Sequence, residues 1–71
     1  MPEQRIVTIK GEFIKLDALL KYANLVASGG EAKLEISEGR VSVNGEPCPM
    51  RGKKLRRGDV VSYAGEIIQI D

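Results

Sequence analysis

The densest group of side chains able to do chemistry in this sequence is a basic run at residues 51–57. It reads R-G-K-K-L-R-R, five cations in seven residues without an acid. Ammonium and guanidinium groups bind phosphate oxygens and release condensed counterions, which gives affinity without base discrimination. Arginine adds paired hydrogen bonds that lysine does not form. This run, called the basic segment below, predicts a phosphate-binding surface made by Arg51, Lys53, Lys54, Arg56 and Arg57; the alternative is a solvated loop that aids solubility.

A second candidate anion site is the sequence S-G-G-E at residues 28–31, which has the form of a capping box. Ser28 is expected to accept from the N–H of Glu31, so that a helix begins just after it. Free N–H groups at a helix start suit an anion, and Gly29 and Gly30 leave room for a phosphate. Glu31 would compete for those donors, so capping alone is the alternative. Lys33, about one turn further on, either reaches the same phosphate or is simply solvated.

Residues suited to catalysis or metal binding are scarce. The sequence has no histidine and one cysteine, Cys48. A zinc site needs about four ligands, and a thiol nucleophile normally needs a nearby histidine. Asp17 and Asp59 fall at a predicted helix start and a predicted turn, so both are interpreted as structural. The sequence therefore predicts no catalytic residue, no metal, no cofactor and no small-molecule substrate.

The candidate phosphate-binding residues must be positioned by a small fold, because 71 residues allow only one domain with a thin core. Its helices and strands are therefore expected to be short. A β-branched run at residues 5–10 predicts a strand. Apolar residues at i, i+3, i+4 and i+7 predict a first helix over about residues 15–24, with Phe13 packed in the core at its entry. The second helix is expected to stop at Gly39.

From Gly39 onward the pattern alternates as in strands. Asn44-Gly45 is a strong hairpin signal, so Asn44 is assigned to the turn. Two prolines limit the returning arm to an edge strand at most, and the basic segment is expected to follow as a loop. Further strands are predicted at residues 60–64 and 67–70. The expected fold is α+β over residues 1–71: two packed helices against a small, mainly antiparallel sheet.

Four motifs in this order resemble the RNA-binding domain named after ribosomal protein S-four, and are most similar to its short, single-domain bacterial members. They are K-L-D at 15–17, S-G-G-E-A-K at 28–33, G-R-V-S-V-N-G at 39–45 and G-D-V-V at 58–61. The resemblance covers about residues 12–64. Each motif alone is common, whereas the four in order at these spacings are fairly specific.

The resemblance implies an RNA-binding surface formed by the faces and ends of the two helices and the adjoining loops. Structured RNA, such as ribosomal or transfer RNA, is the usual partner of such domains. By position, Lys15 matches the basic residue before Leu-Asp, while Ser28 and Lys33 match the serine and the later basic residue of the second helix. Gly29 is a departure, because family members often carry arginine there. The basic segment would compensate for that lost phosphate contact.

Net charge is only +1, but the charges are unevenly distributed. Residues 15–57 hold nine cations and five acids, a local balance of +4, so a nearly neutral protein can present one positive face. The aromatic residues Phe13, Tyr22 and Tyr63 are scattered. That scarcity favours folded RNA read through its backbone and shape over single strands read by stacking.

The leading hypothesis is a non-catalytic module that docks structured RNA through a cationic face, as a cytoplasmic monomer, with the ribosome or its precursors as the setting. The alternative is a small protein–protein interaction module without nucleic-acid binding. A sulfur carrier would need a C-terminal Gly-Gly, whereas the sequence ends Gln69-Ile70-Asp71. No run is long enough to span a membrane, and Met1–Arg5 lacks the layout of a secretory signal.

Overall fold

The chain folds into two helices and seven short strands in a computed structural model that describes residues 3–71, with side chains from residue 4 onward. The expectation on a secretory signal falls partly on Met1 and Pro2, which lie outside this range. In chain order the elements are β1 (Glu3–Val7), β2 (Ile14–Lys15), α1 (Leu16–Tyr22), α2 (Gly29–Ser37), β3 (Val41–Val43), β4 (Glu46–Pro47), β5 (Lys54–Leu55), β6 (Val60–Tyr63) and β7 (Glu66–Ile70).

Five of the strands form one sheet in the order β1-β7-β6-β3-β4, and β2 pairs with β5 in a separate two-stranded sheet. All pairs are antiparallel except β1 with β7. The turn at Asn44-Gly45 has positive φ at both residues, 52° and 86°, as a type I′ hairpin requires. The predicted α+β fold with a mainly antiparallel sheet is therefore confirmed.

Helix α1 buries its predicted apolar face, with Leu16, Leu19 and Leu20 at 0% exposure. It ends at Tyr22, two residues before the predicted end, because Asn24 adopts a left-handed φ of 61°. Helix α2 begins at Gly29 as predicted, with Ser28 Oγ accepting from the N–H of Glu31 at 3.2 Å.

One hydrophobic core lies between the helices and the sheet. The helices contribute Leu16, Leu20 and Ile36, and the sheet contributes Val61 and Ile68. Neither helix in the described part of the chain has the length and apolar character to cross a bilayer.

Three local expectations were wrong. The basic segment is not a plain loop, because Lys54–Leu55 pairs with β2 and Leu55 is fully buried. Phe13 is 38% exposed rather than a core residue, since its neighbour Ile14 takes the inward position. The first strand ends at Val7 rather than Lys10.

Candidate nucleic-acid interface

The backbone of the basic segment caps the start of helix α1. The N–H of Leu16 donates to the carbonyl of Lys53 at 2.9 Å, and the N–H of Asp17 donates to the carbonyl of Arg51 at 3.2 Å. The first N–H groups of a helix have no partner within the helix, and the Lys15 side chain does not cap them. The carbonyls of the basic segment therefore take the place of a capping side chain and hold the segment against α1.

Pairing of β2 with β5 places two lysines of the candidate site side by side. In this register Ile14 lies opposite Leu55 and Lys15 lies opposite Lys54. Directly opposed residues of an antiparallel pair have Cβ atoms about 4.5–5.5 Å apart, and like charges in such positions repel. Both lysines are exposed. An anion bound between them would relieve that repulsion.

The two arginines that close the basic segment differ in their contacts. The guanidinium of Arg57 donates from Nη2 to the carbonyl of Ile9 at 2.8 Å, in a partly buried position. This bond uses one of the five N–H donors of the group. The backbone N–H of Arg56 donates to the carboxylate of Asp59 at 2.8 Å, while the Arg56 side chain is exposed. Arg57 thus combines a structural bond with remaining donor capacity.

Asn44 and Asp59 fix the turn that follows the basic segment. The Asn44 side chain donates to Asp59 Oδ1 at 3.1 Å and accepts from the N–H of Val60 at 2.9 Å. Both residues therefore act in the architecture, as the sequence predicted.

The start of α2 is open on the surface. Ser28, Gly29, Gly30 and Lys33 are all exposed, and a Cβ built on Gly29 meets nothing within 4 Å. Helix α2 packs against α1, the helix that Lys15 directly precedes. Within residues 3–71, no hydrogen bond or ion pair joins these four residues to the basic segment.

Two arginines outside the candidate site form ion pairs with acids. Arg5 pairs with Glu66 at 2.6 Å, and Arg40 pairs with Glu35 at 2.6 Å and with Glu38 at 2.9 Å. Among the residues whose side chains are described, none of the candidate cations forms an ion pair. The ones left unneutralised are Lys15, Lys33, Arg51, Lys53, Lys54, Arg56 and Arg57.

Glu35 belongs to a network that joins α2 to the sheet. Tyr63 donates from its hydroxyl to Glu35 Oε1 at 2.7 Å, and Arg40 donates to Oε2 at 2.6 Å. These two hydrogen bonds lower the pKa of Glu35, and the bond to Glu35, with partial burial, raises the pKa of Tyr63 to about 12. The carboxylate is thus already engaged by its own neighbours.

Phe13 is the residue of this region that sequence reasoning missed. The Lys54 ammonium lies 4.9 Å from the centroid of the Phe13 ring, within the range of a cation–π contact. Alternation in the sequence F-I-K could have revealed it, because successive side chains of an extended segment point to opposite sides. With Ile14 directed inward, Phe13 and Lys15 face outward.

The described residues contain no group of three or more His, Cys, Asp or Glu side chains that could hold a metal ion. What the arrangement offers chemically is a group of exposed cations on a backbone anchored to α1, beside an exposed aromatic ring.

This arrangement and fold define a member of the S4 domain family: the family model described as "S4 domain" matches residues 7–71, and the chain belongs to that family. A probable ribosome maturation protein of Bacillus subtilis, RlbA, is 48% identical over 59 residues, which are 83% of each chain. The putative RNA-binding protein YbcJ of Escherichia coli is 36% identical over 61 residues, 86% of this chain and 87% of that protein.

The solution structure of E. coli YbcJ, described as revealing a motif involved in RNA-binding, has a similar fold. It matches with a TM-score of 0.70 and 33% identity, over 92% of this chain and 84% of that one.

Proposed function

We propose that this protein is a non-catalytic RNA-binding domain that spans the whole chain and docks structured RNA through the basic segment and Lys15. The observation that carries the proposal is the set of exposed, unpaired cations held in place by backbone bonds to α1 and by the β2–β5 pair. The names of the E. coli and B. subtilis relatives support RNA, and ribosomal RNA or its precursors in particular, as the partner.

Phosphate binding in this proposal needs little rearrangement. Lys15 and Lys54 are neighbours across two strands, and Arg51 and Lys53 are tied to the first turn of α1 through their carbonyls. Their side chains would contact consecutive phosphates, and each neutralised phosphate would release counterions. Arg56 and the free donors of Arg57 would extend this contact along the RNA backbone.

The start of α2 would form the second part of the surface. Gly29 and Gly30 leave the first turn accessible, and Lys33 adds a cation on the same helix. Ser28 is already used as a cap, so its side chain would contribute chiefly to the shape of this part. The protein would act as a cytoplasmic monomer and make or break no covalent bond.

The test is a titration of a hairpin RNA, an unstructured RNA of the same length and a duplex DNA at several salt concentrations. The double variant Lys53→Gln/Lys54→Gln should weaken hairpin binding and reduce the slope of log affinity against log salt by about 1.4–1.8. Lys21→Gln is the matched control, since Lys21 is an exposed lysine in the last turn of α1 outside the candidate site. It should leave the slope unchanged.

Absence of binding to any of the three nucleic acids at low salt would refute the proposal. Binding unaffected by the double variant would refute the assignment of the surface. A protein partner bound equally well at low and high salt would instead favour the protein–protein interaction module.

A further inference from the structure

A groove of about 350 Å³ lies between α1 and the loop that follows β1, and the basic segment does not line it. Its walls include Thr8, Lys10, Phe13 and Tyr22. Small-molecule sites in proteins usually measure about 300–1,000 Å³, so the groove has room for one small planar group.

Two of the three aromatic side chains of the protein line this groove, and both are exposed. Tyr22 is 69% exposed and Phe13 is 38% exposed. Exposed aromatic rings are the platforms on which proteins stack unpaired nucleobases. The third aromatic, Tyr63, is engaged with Glu35 on another part of the molecule.

The groove adjoins the candidate RNA surface. Lys54, a residue of the basic segment, lies over the Phe13 ring, and Arg57 donates to the carbonyl of Ile9, another residue of the groove wall. Lys10 adds a cation within the wall itself, whereas the nearby acid Glu12 is not part of it.

We propose that this aromatic groove binds one unpaired nucleobase of the RNA held by the basic segment. The base would stack on the Phe13 and Tyr22 rings, and Lys10 and Lys54 would contact the phosphates on either side of that nucleotide. The Thr8 hydroxyl is exposed and forms no hydrogen bond within the described chain, so it is available to the edge of the base. The combination of rings, cations and a free hydroxyl fits a nucleotide better than an apolar peptide.

This inference rests on the proposed RNA-binding function and gives it a specific target: a bulge or loop, where bases leave the helical stack. The test compares two hairpin RNAs that differ only in one bulged 2-aminopurine nucleotide. The protein should bind the bulged hairpin about 5- to 150-fold more tightly than the continuous one, the range expected for one base stacked on aromatic side chains. Fluorescence of the 2-aminopurine should be quenched on binding.

Tyr22→Ala should remove most of the advantage of the bulged hairpin while leaving affinity for the continuous hairpin unchanged. Tyr22→Phe is the matched control, because it keeps the ring and should preserve the advantage. Since Tyr22 is largely exposed, neither change threatens the fold, and circular dichroism verifies this.

Equal binding of the two hairpins, or an advantage that Tyr22→Ala does not reduce, would overturn the groove proposal and leave RNA docking intact. Failure to bind either hairpin would overturn both proposals.

Discussion

Lys54 connects several features of the candidate surface at the scale of a single residue. Its backbone pairs with β2, its side chain lies across from Lys15, and its ammonium lies over Phe13. The aromatic contact stabilises a cation at a position where the neighbouring lysine repels it. The Lys54 side chain is therefore held at the surface over the Phe13 ring.

Gly29 offers a second test at this scale, because the resemblance to the S4 domain implies an arginine at this position. A side chain at Gly29 has free space. Gly29→Arg should tighten binding of the hairpin RNA and steepen the salt slope by about 0.7–0.9, as one more phosphate contact would. The better helix propensity of arginine and its unfavourable charge at a helix start offset each other. Urea denaturation should show a change in unfolding free energy below about 1 kcal/mol.

Gly29→Gln separates charge from helix propensity in this experiment. It should stabilise α2 without changing the salt slope. An equal gain in RNA affinity from both variants would contradict a phosphate contact at this position.

At the scale of elements, Leu55 anchors the basic segment. It is fully buried between exposed cations, so the segment follows the pairing of β5 with β2. Leu55→Ala should lower the free energy of unfolding by about 2–5 kcal/mol, measured by urea denaturation. It should also weaken RNA binding by the protein that remains folded, because the cations lose their common support.

Met50→Ala is the control, since Met50 precedes the segment and is 61% exposed. It should change stability by less than about 0.5 kcal/mol and leave RNA binding intact. RNA affinity that stays unchanged in folded Leu55→Ala protein would show that the cations act without this anchor.

Elements with local signals could be predicted from the sequence. The apolar spacing of α1, the serine cap of α2 and the Asn44-Gly45 turn each depend on residues close together in the chain. The β2–β5 pair could not be predicted from the sequence, because each of its strands has only two residues. The pair also depends on residues some 40 positions apart meeting at the start of α1.

The same difference applies to the candidate site. The basic residues were evident from their clustering in the sequence, whereas their arrangement depends on Leu55 burial and on carbonyls that cap α1. Phe13 was wrongly assigned to the core, because the neighbouring Ile14 takes the inward position in this extended segment.

At the scale of the molecule, the protein carries little net charge, but its basic and acidic side chains are unevenly distributed. Net charge is +1, yet acids such as Glu35 and Glu66 are paired with Arg40 and Arg5. The acids and arginines in those pairs neutralise each other, whereas residues 51–57 hold five cations and no acid, so positive charge is concentrated in the basic segment. A surface of this kind attracts polyanions at low salt and loses that attraction as salt screens it.

The Tyr63–Glu35 bond predicts how stability depends on pH. The pKa of Glu35 is lowered below its ordinary 4.5, so its contribution is present above that pH and is lost as pH falls. The pKa of Tyr63 is raised from 10.0 to about 12, so its contribution is complete below pH 10 and is lost between pH 10 and 12. Urea denaturation of the wild type and Tyr63→Phe should therefore differ most between pH 5 and 10 and converge outside that window. A difference that stays constant to pH 12 would contradict the bond.

The position of β7 also determines when the domain can form during synthesis. This strand is the last of the domain to be translated, yet it lies between β1 and β6 and contributes the buried residues Ile68 and Ile70. In a nascent chain whose β7 is still inside the ribosome, β1 has no strand to pair with. The hydrophobic core of that chain remains open on one side. The protein therefore completes its fold only after β7 has been translated. A truncated mRNA that lacks the codons of β7 would yield a chain whose core cannot close.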